Sequence, residues 1–142
     1  MKKENITFPE VRLELGIRLA ISLVFLLFGF NKFYVFLPTP PMQPQAAKFI
    51  GALVDTGYLW YLIGFTEILG GILLVLPKYK GWGMILLSPV VMNILFYLLI
   101  LQSGIGAPPI LMSLFLGGGM VYLGYQNWNL FAPISQSFPN FK

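Results

Sequence analysis

Apolar residues fall into four long runs, separated by short segments that collect the prolines and most of the charges. The runs cover roughly residues 17–36, 58–76, 83–101 and 109–125. About 20 residues of helix cross a hydrocarbon core of ~30 Å, so each run has the length of one crossing. Backbone groups in lipid must bond within the segment, and strands of alternating polarity are absent from the sequence. The pattern therefore predicts an all-α fold. It is a four-transmembrane-helix antiparallel bundle, a single integral membrane domain over 1–142.

The segments between the runs add detail. Thr7 and Glu10 have the spacing of a capping box, with Pro9 near the first turn, so a helix starts there and enters the membrane near Ile17. Glu14 and Arg18 are four apart in the favourable order and predict an ion pair along that helix. The first connection opens with "LPTPPMQPQ", whose prolines stop the helix and stiffen the chain. In "QAAKFIGALVDTG", Ala46, Phe49, Ile50, Leu53 and Val54 make an amphipathic stripe that predicts a short helix over 45–56. This helix lies on the outer membrane surface or folds back over the bundle, as a plain interfacial staple or as part of a site. The other two connections, "PKYKGWG" and "QSGIGAPP", are short and make sequential helices antiparallel neighbours. The tail over 126–142 is polar with spaced aromatics and is expected along the cytoplasmic interface. Tyr58, Trp60 and Tyr61 mark one interface, and Tyr79, Trp82, Tyr125 and Trp128 the other. Gly64, Gly70 and Gly71 on the second run, and Ser113, Gly117 and Gly124 on the fourth, predict close helix packing. "GGG" at 117–119 could instead loosen its helix.

Composition excludes several chemistries. Only 10% of residues are charged and 57% are hydrophobic, whereas a soluble domain carries about 25% charged residues, so lipid is the expected solvent. The chain has no cysteine and no histidine, which removes thiol relays and the usual haem and zinc ligands; neither haem nor a metal site is expected. Lys2, Lys3, Arg12 and Arg18 precede or begin the first run, and Lys78 and Lys80 separate the second from the third. The long first connection holds one basic residue, Lys48, and 102–108 holds no charge. The positive-inside rule then puts both termini in the cytoplasm. The same lysines flank apolar runs, so they do not make a nucleic-acid patch. Charges from Glu10 to Arg18 interrupt any signal-peptide pattern, and the first run is expected to stay as an anchor.

One carboxylate stands out. Glu67 occupies the middle of "FTEILGG", inside an otherwise uncharged run. At ~1.5 Å per residue, Glu67 and Asn93 fall near the midplane, with Lys32 roughly 8 Å to one side; Tyr97 and Ser113 lie at similar height to Lys32. Cα–Cβ bonds tilt toward a helix N-terminus, so Lys32 and Glu67 on antiparallel helices lean toward each other, while Arg18 leans away. A charge at the bilayer centre costs roughly 2.5–3.5 kcal/mol, which Glu67 can offset by pairing, by protonation or by facing a wet cavity. Asn93 and Tyr97, four apart, share a face and can add hydrogen bonds. The candidate site is thus Glu67 as the proton-handling residue, with Lys32, Asn93, Tyr97 and Ser113 as ligand contacts. The competing reading is a satisfied polar knot that fixes helix register without chemistry.

"RLAISLVFLLFGFNKF", with Arg18, Gly29 and Lys32, resembles the first helix of the DoxX family of bacterial membrane proteins. "GFTEILGGILLVL", with Glu67, Gly70 and Gly71, resembles its second helix. The resemblance covers roughly 12–125 and implies a multi-pass protein of the bacterial inner membrane. Some members are the membrane subunit of a thiosulfate:quinone oxidoreductase, some associate with redox partners under thiol stress, and a distant branch assists assembly of other membrane proteins. Three expectations follow. A quinone-linked redox subunit would bind quinone in a cavity at Glu67 and take electrons from a membrane or periplasmic redox partner. A non-enzymatic assembly module would grip another membrane protein. A transporter would require a homo-oligomer, since broken helices in matched halves are absent.

Overall fold

A computed structural model describes residues 8–131, and all the regular structure in them is helical, without strands. The first helix, α1, is Phe8–Asn31, so the Thr7 cap lies outside the described residues while Glu10 sits in the first turn. The helix stops five residues short of the end of its apolar run. The Asn31 carboxamide oxygen accepts the backbone N–H groups of Phe36 at 2.9 Å and Leu37 at 2.8 Å, closing a turn in which those donors need no further helix. Lys32 therefore stands in the turn after α1 and not on the helix itself.

The amphipathic stretch forms α2, Pro44–Asp55, which starts on a proline. Ala46 is fully buried and Phe49, Ile50 and Leu53 are half-buried, whereas Val54 at the end of the stripe is exposed. Thr56 and Gly57 end it. The Thr56 hydroxyl donates to Leu53 O at 2.7 Å and accepts Leu59 N–H at 3.0 Å, and Gly57 has φ +75°, a backbone state that favours glycine. The chain then turns by 94° into α3, Leu59–Val75. α2 thus lies across the end of the bundle.

A proline that the run pattern hides shapes the third crossing. Helix α4, Lys80–Phe96, contains Pro89, which cannot donate to Ile85 O four residues back. The Ser88 hydroxyl donates to Ile85 O at 2.9 Å in its place, the kind of side-chain substitution that lets membrane helices carry proline. A π-helical turn, Tyr97–Leu101, continues the crossing, and Ser103–Ile105 and Gly106 (φ +105°) reverse the chain. The last crossing is α5, Ala107–Ser113, a π turn, Leu114–Gly118, and α6, Gly119–Gln126. Of the expected tail, 132–142 lie outside the described residues.

Among the described residues three crossings are long and apolar enough to span a membrane, and α3, with 17 residues, makes a fourth candidate when joined to α2 across the 94° bend. The protein is a multi-pass membrane protein whose helices bury one another through one thin core. α1 packs on α3 and α6, α3 on α4, and α4 on the final crossing. Ile21, Phe25, Leu74, Leu87, Leu116 and Leu123 fill the centre. Leucines and phenylalanines on the outer faces stay exposed, as lipid permits.

Glycines set the helix spacing. A Cβ on Gly70 would stand 2.6 Å from Leu87, one on Gly71 3.2 Å from Leu26, and one on Gly119 2.7 Å from Ile21. Gly117 likewise receives Leu95. Gly124 does not belong with them: nothing lies within 4 Å of where its Cβ would be. Gly117 and Gly124 line the same groove between α4 and α6, but Leu95 fills it only beside Gly117.

Candidate functional site

Among the described residues, three polar clusters tie separate elements of this apolar bundle together. The first joins α1 to α3. Lys32 Nζ donates to Glu67 Oε2 at 2.6 Å, and the two side chains are 10% and 2% exposed. Small residues bring the backbones close enough for this. A Cβ on Gly29 would stand 3.1 Å from Glu67 Cβ, and one on Gly64 3.0 Å from Lys32 Cβ. Trp60 adds a third contact, its ring centroid 5.0 Å from the ammonium. The ring face is negative, so it supports the cation where water is scarce. Trp60 has a structural duty here beyond marking an interface.

The other expected contacts of Glu67 lie elsewhere. Among the described residues its one hydrogen bond is to Lys32. Asn93 is exposed on α4, and its carboxamide makes no hydrogen bond among the described residues. Tyr97 shares its face, as a four-residue spacing requires, and both line an open-sided groove of about 540 Å³ between α2 and α4. Ser113 is buried, but its hydroxyl donates to Pro109 O at 2.8 Å within its own helix. Depth along a helix does not decide the neighbour: rotation about each helix axis turns Asn93 and Tyr97 to the groove and Ser113 to its own helix. The groove is walled by Phe49, Met92, Asn93, Phe96 and Tyr97, and Glu67 is not among its lining residues.

A second cluster holds that groove's end. Gln102, 4% exposed, accepts the backbone N–H of Gln43 on Oε1 at 2.9 Å and donates from Nε2 to the Tyr97 hydroxyl at 3.2 Å. Phe49 from α2 leans on Tyr97, ring centroids 6.0 Å apart. Gln43 and Gln102 were invisible as a pair in the sequence, because each is a lone polar residue in a different connection. The one available signal was that Gln102 directly follows an apolar run.

The third cluster sits at the opposite end. Glu14 and Arg18 do pair, with Nε 3.7 Å from Oε2, but Glu14 has closer partners. Its Oε1 accepts Lys80 Nζ at 3.1 Å and Asn127 Nδ2 at 3.2 Å. Asn127 also caps α6 by donating to Leu123 O at 2.8 Å. One carboxylate thus ties the start of α1 to the start of α4 and the end of α6. Arg18, 5% exposed, has Nε and Nη1 without hydrogen-bond partners. Its nearest countercharge is therefore essential to it. Glu14→Gln keeps the shape but removes that charge, and should lower stability by about 1–2 kcal/mol in detergent unfolding. An unchanged unfolding midpoint would show that this cluster holds nothing together.

The model of the DoxX family matches residues 13–99, more than half of the chain. The match includes Glu14, Arg18, Lys32, Glu67, Asn93 and Tyr97, and excludes Gln102 and Ser113. No curated protein and no solved structure matches the chain.

Proposed function

The chain belongs to the DoxX family, and from that premise we propose that it is a quinone-binding membrane subunit whose ligand lies in the groove between α2 and α4. The observation that carries this reading is Asn93. Its carboxamide sits on a membrane-spanning helix, exposed and without a hydrogen bond among the described residues. An amide facing acyl chains alone is costly, so the position calls for a polar partner in an apolar setting.

The surroundings describe that partner. The groove, at about 540 Å³, is in the range of small-molecule sites, and its walls are aromatic and aliphatic apart from Asn93 and Tyr97. A flat apolar ring with carbonyl oxygens fits: Asn93 and Tyr97 can each donate a hydrogen bond, and an apolar tail can leave through the open side into lipid. Among the described residues no carboxylate or amine lines the groove. The chain therefore supplies binding and orientation, and a partner supplies electrons. Glu67 lines neither this groove nor the smaller one between α4 and α6, and in this reading the Lys32–Glu67 pair holds α1 against α3. The setting is the bacterial inner membrane with both termini in the cytoplasm, which puts α2 and the groove toward the periplasmic side, within reach of a membrane or periplasmic redox partner.

The test is titration of a decyl-substituted benzoquinone into the protein in lipid nanodiscs, read by quenching of intrinsic fluorescence. Saturable binding above empty nanodiscs is expected, and Asn93→Leu should weaken it about tenfold through loss of one hydrogen bond. Quenching equal to partition into empty nanodiscs, or identical for Asn93→Leu, overturns the reading. A stable membrane-protein partner that co-purifies in the absence of any quinone binding would favour an assembly role instead.

A further inference from the structure

Gln102 accepts from one neighbour and donates to another, and the order of the two is not free. Gln43 offers a backbone N–H, which can only donate. The group facing it at 2.9 Å must be the carboxamide oxygen, so the amide cannot be flipped. The NH₂ group then faces Tyr97 at 3.2 Å, and since NH₂ only donates, the phenol oxygen is the acceptor. The phenol's own hydrogen has no acceptor among the described residues, and Tyr97 lines the groove. Burial keeps water from scrambling this order at Gln102, which is 4% exposed.

We propose that Gln102 sets the polarity of the groove: it holds Tyr97 as a hydrogen-bond donor to the ligand, so the site favours a carbonyl oxygen, the better acceptor with no hydrogen of its own to place, over a hydroxyl. The inference rests on the groove being a ligand site and adds which redox form it prefers, the quinone over the quinol. Gln102 is a positioning residue, acting through Tyr97. The same carboxamide anchors Gln43, the residue before α2, so the helix that carries Phe49 and the hydroxyl that meets the ligand are fixed by one side chain.

Gln102→Glu separates polarity from structure. The carboxylate still accepts the Gln43 N–H, but its second oxygen accepts where Nε2 donated. The Tyr97 hydrogen then turns to the carboxylate and presents the phenol oxygen to the groove. Measured in nanodiscs at pH 8, the wild type should prefer the decyl benzoquinone to its quinol, and Gln102→Glu should cut that ratio about tenfold. An unchanged ratio in a variant that binds overturns the proposal. A second measurement needs neither the ligand nor that variant. In ligand-free nanodiscs, the ultraviolet resonance Raman doublet of Tyr97, isolated by subtracting the Tyr97→Phe spectrum, should report a phenol that accepts a hydrogen bond. A donor signature overturns the proposal even if quinone binds. Absence of all quinone and quinol binding defeats the functional reading, and the Raman result still decides the polarity.

Discussion

Replacing Lys32 with methionine should destabilise the bundle by about 3–5 kcal/mol, the range for breaking a buried ion pair from one side. Methionine keeps the stem of the side chain, so packing against Gly64 survives and the lost group is the ammonium. What remains is the Glu67 carboxylate, 2% exposed, with its one hydrogen bond gone. Its available escape is to take a proton, which for an ordinary carboxyl near neutral pH costs about 4 kcal/mol. That figure agrees with the range for pair breaking, so the two estimates support each other.

The companion experiment removes both charges. With Lys32→Met and Glu67→Met together, nothing charged is left between α1 and α3, and unbranched side chains respect the close approach at Gly29. Buried pairs replaced by apolar groups of similar size are often neutral or stabilising, so the double variant should return to within about 1–2 kcal/mol of wild type. Reversible unfolding in mixed detergent micelles measures all of these. If the double variant is as unstable as Lys32→Met alone, Glu67 has obligations beyond this pair and the structural assignment fails. Quinone binding by the double variant adds a second readout: retention places the ligand away from Glu67, and loss would return Glu67 to the site.

These two residues were legible in the sequence for a physical reason. Opposite charges in a dry interior must meet, and Lys32 and Glu67 fall close enough in depth to do so, although Lys32 reaches Glu67 from the turn after α1 and not from a helical position. The four crossings were legible for a similar reason, since length and apolarity are one-dimensional properties. Asn93 and Tyr97 show where this stops. Their shared face follows from a spacing of four, but spacing does not say which neighbour the face meets. That depends on the rotation of α4, fixed by Gly83 on Leu74 and Gly70 on Leu87, contacts between helices that no local pattern encodes. The early end of α1 is a different failure. Hydropathy continues to Phe36, and a single Asn31 side chain ends the helix by taking two backbone N–H groups. Lys80 and Asn127 are a third kind: both were read for topology or tail, and only the folded bundle brings them to Glu14.

That rotation makes Gly83→Ala the second severe substitution. An added Cβ would stand 2.5 Å from Leu74 N, 2.8 Å from Leu74 Cα and 3.0 Å from Gly70 O. All three are backbone atoms, so no side chain can swing aside, and α4 must move away from α3. Overpacking commonly costs 1–3 kcal/mol, and a clash with rigid backbone belongs at about 3 kcal/mol or above. The displacement also carries Pro89, Asn93 and Tyr97, so quinone affinity should fall in whatever fraction remains folded. Gly118→Ala and Gly124→Ala are the controls. Both positions have nothing within 4 Å of the new Cβ, and alanine is the better helix former, so each should be neutral or gain up to about 1 kcal/mol. The contrast isolates contact from propensity, because all three changes add one methyl group to a glycine in the same bundle. A Gly83→Ala protein as stable as the two controls would mean that α3 and α4 do not meet at Leu74, and the groove geometry built on that contact would fall with it.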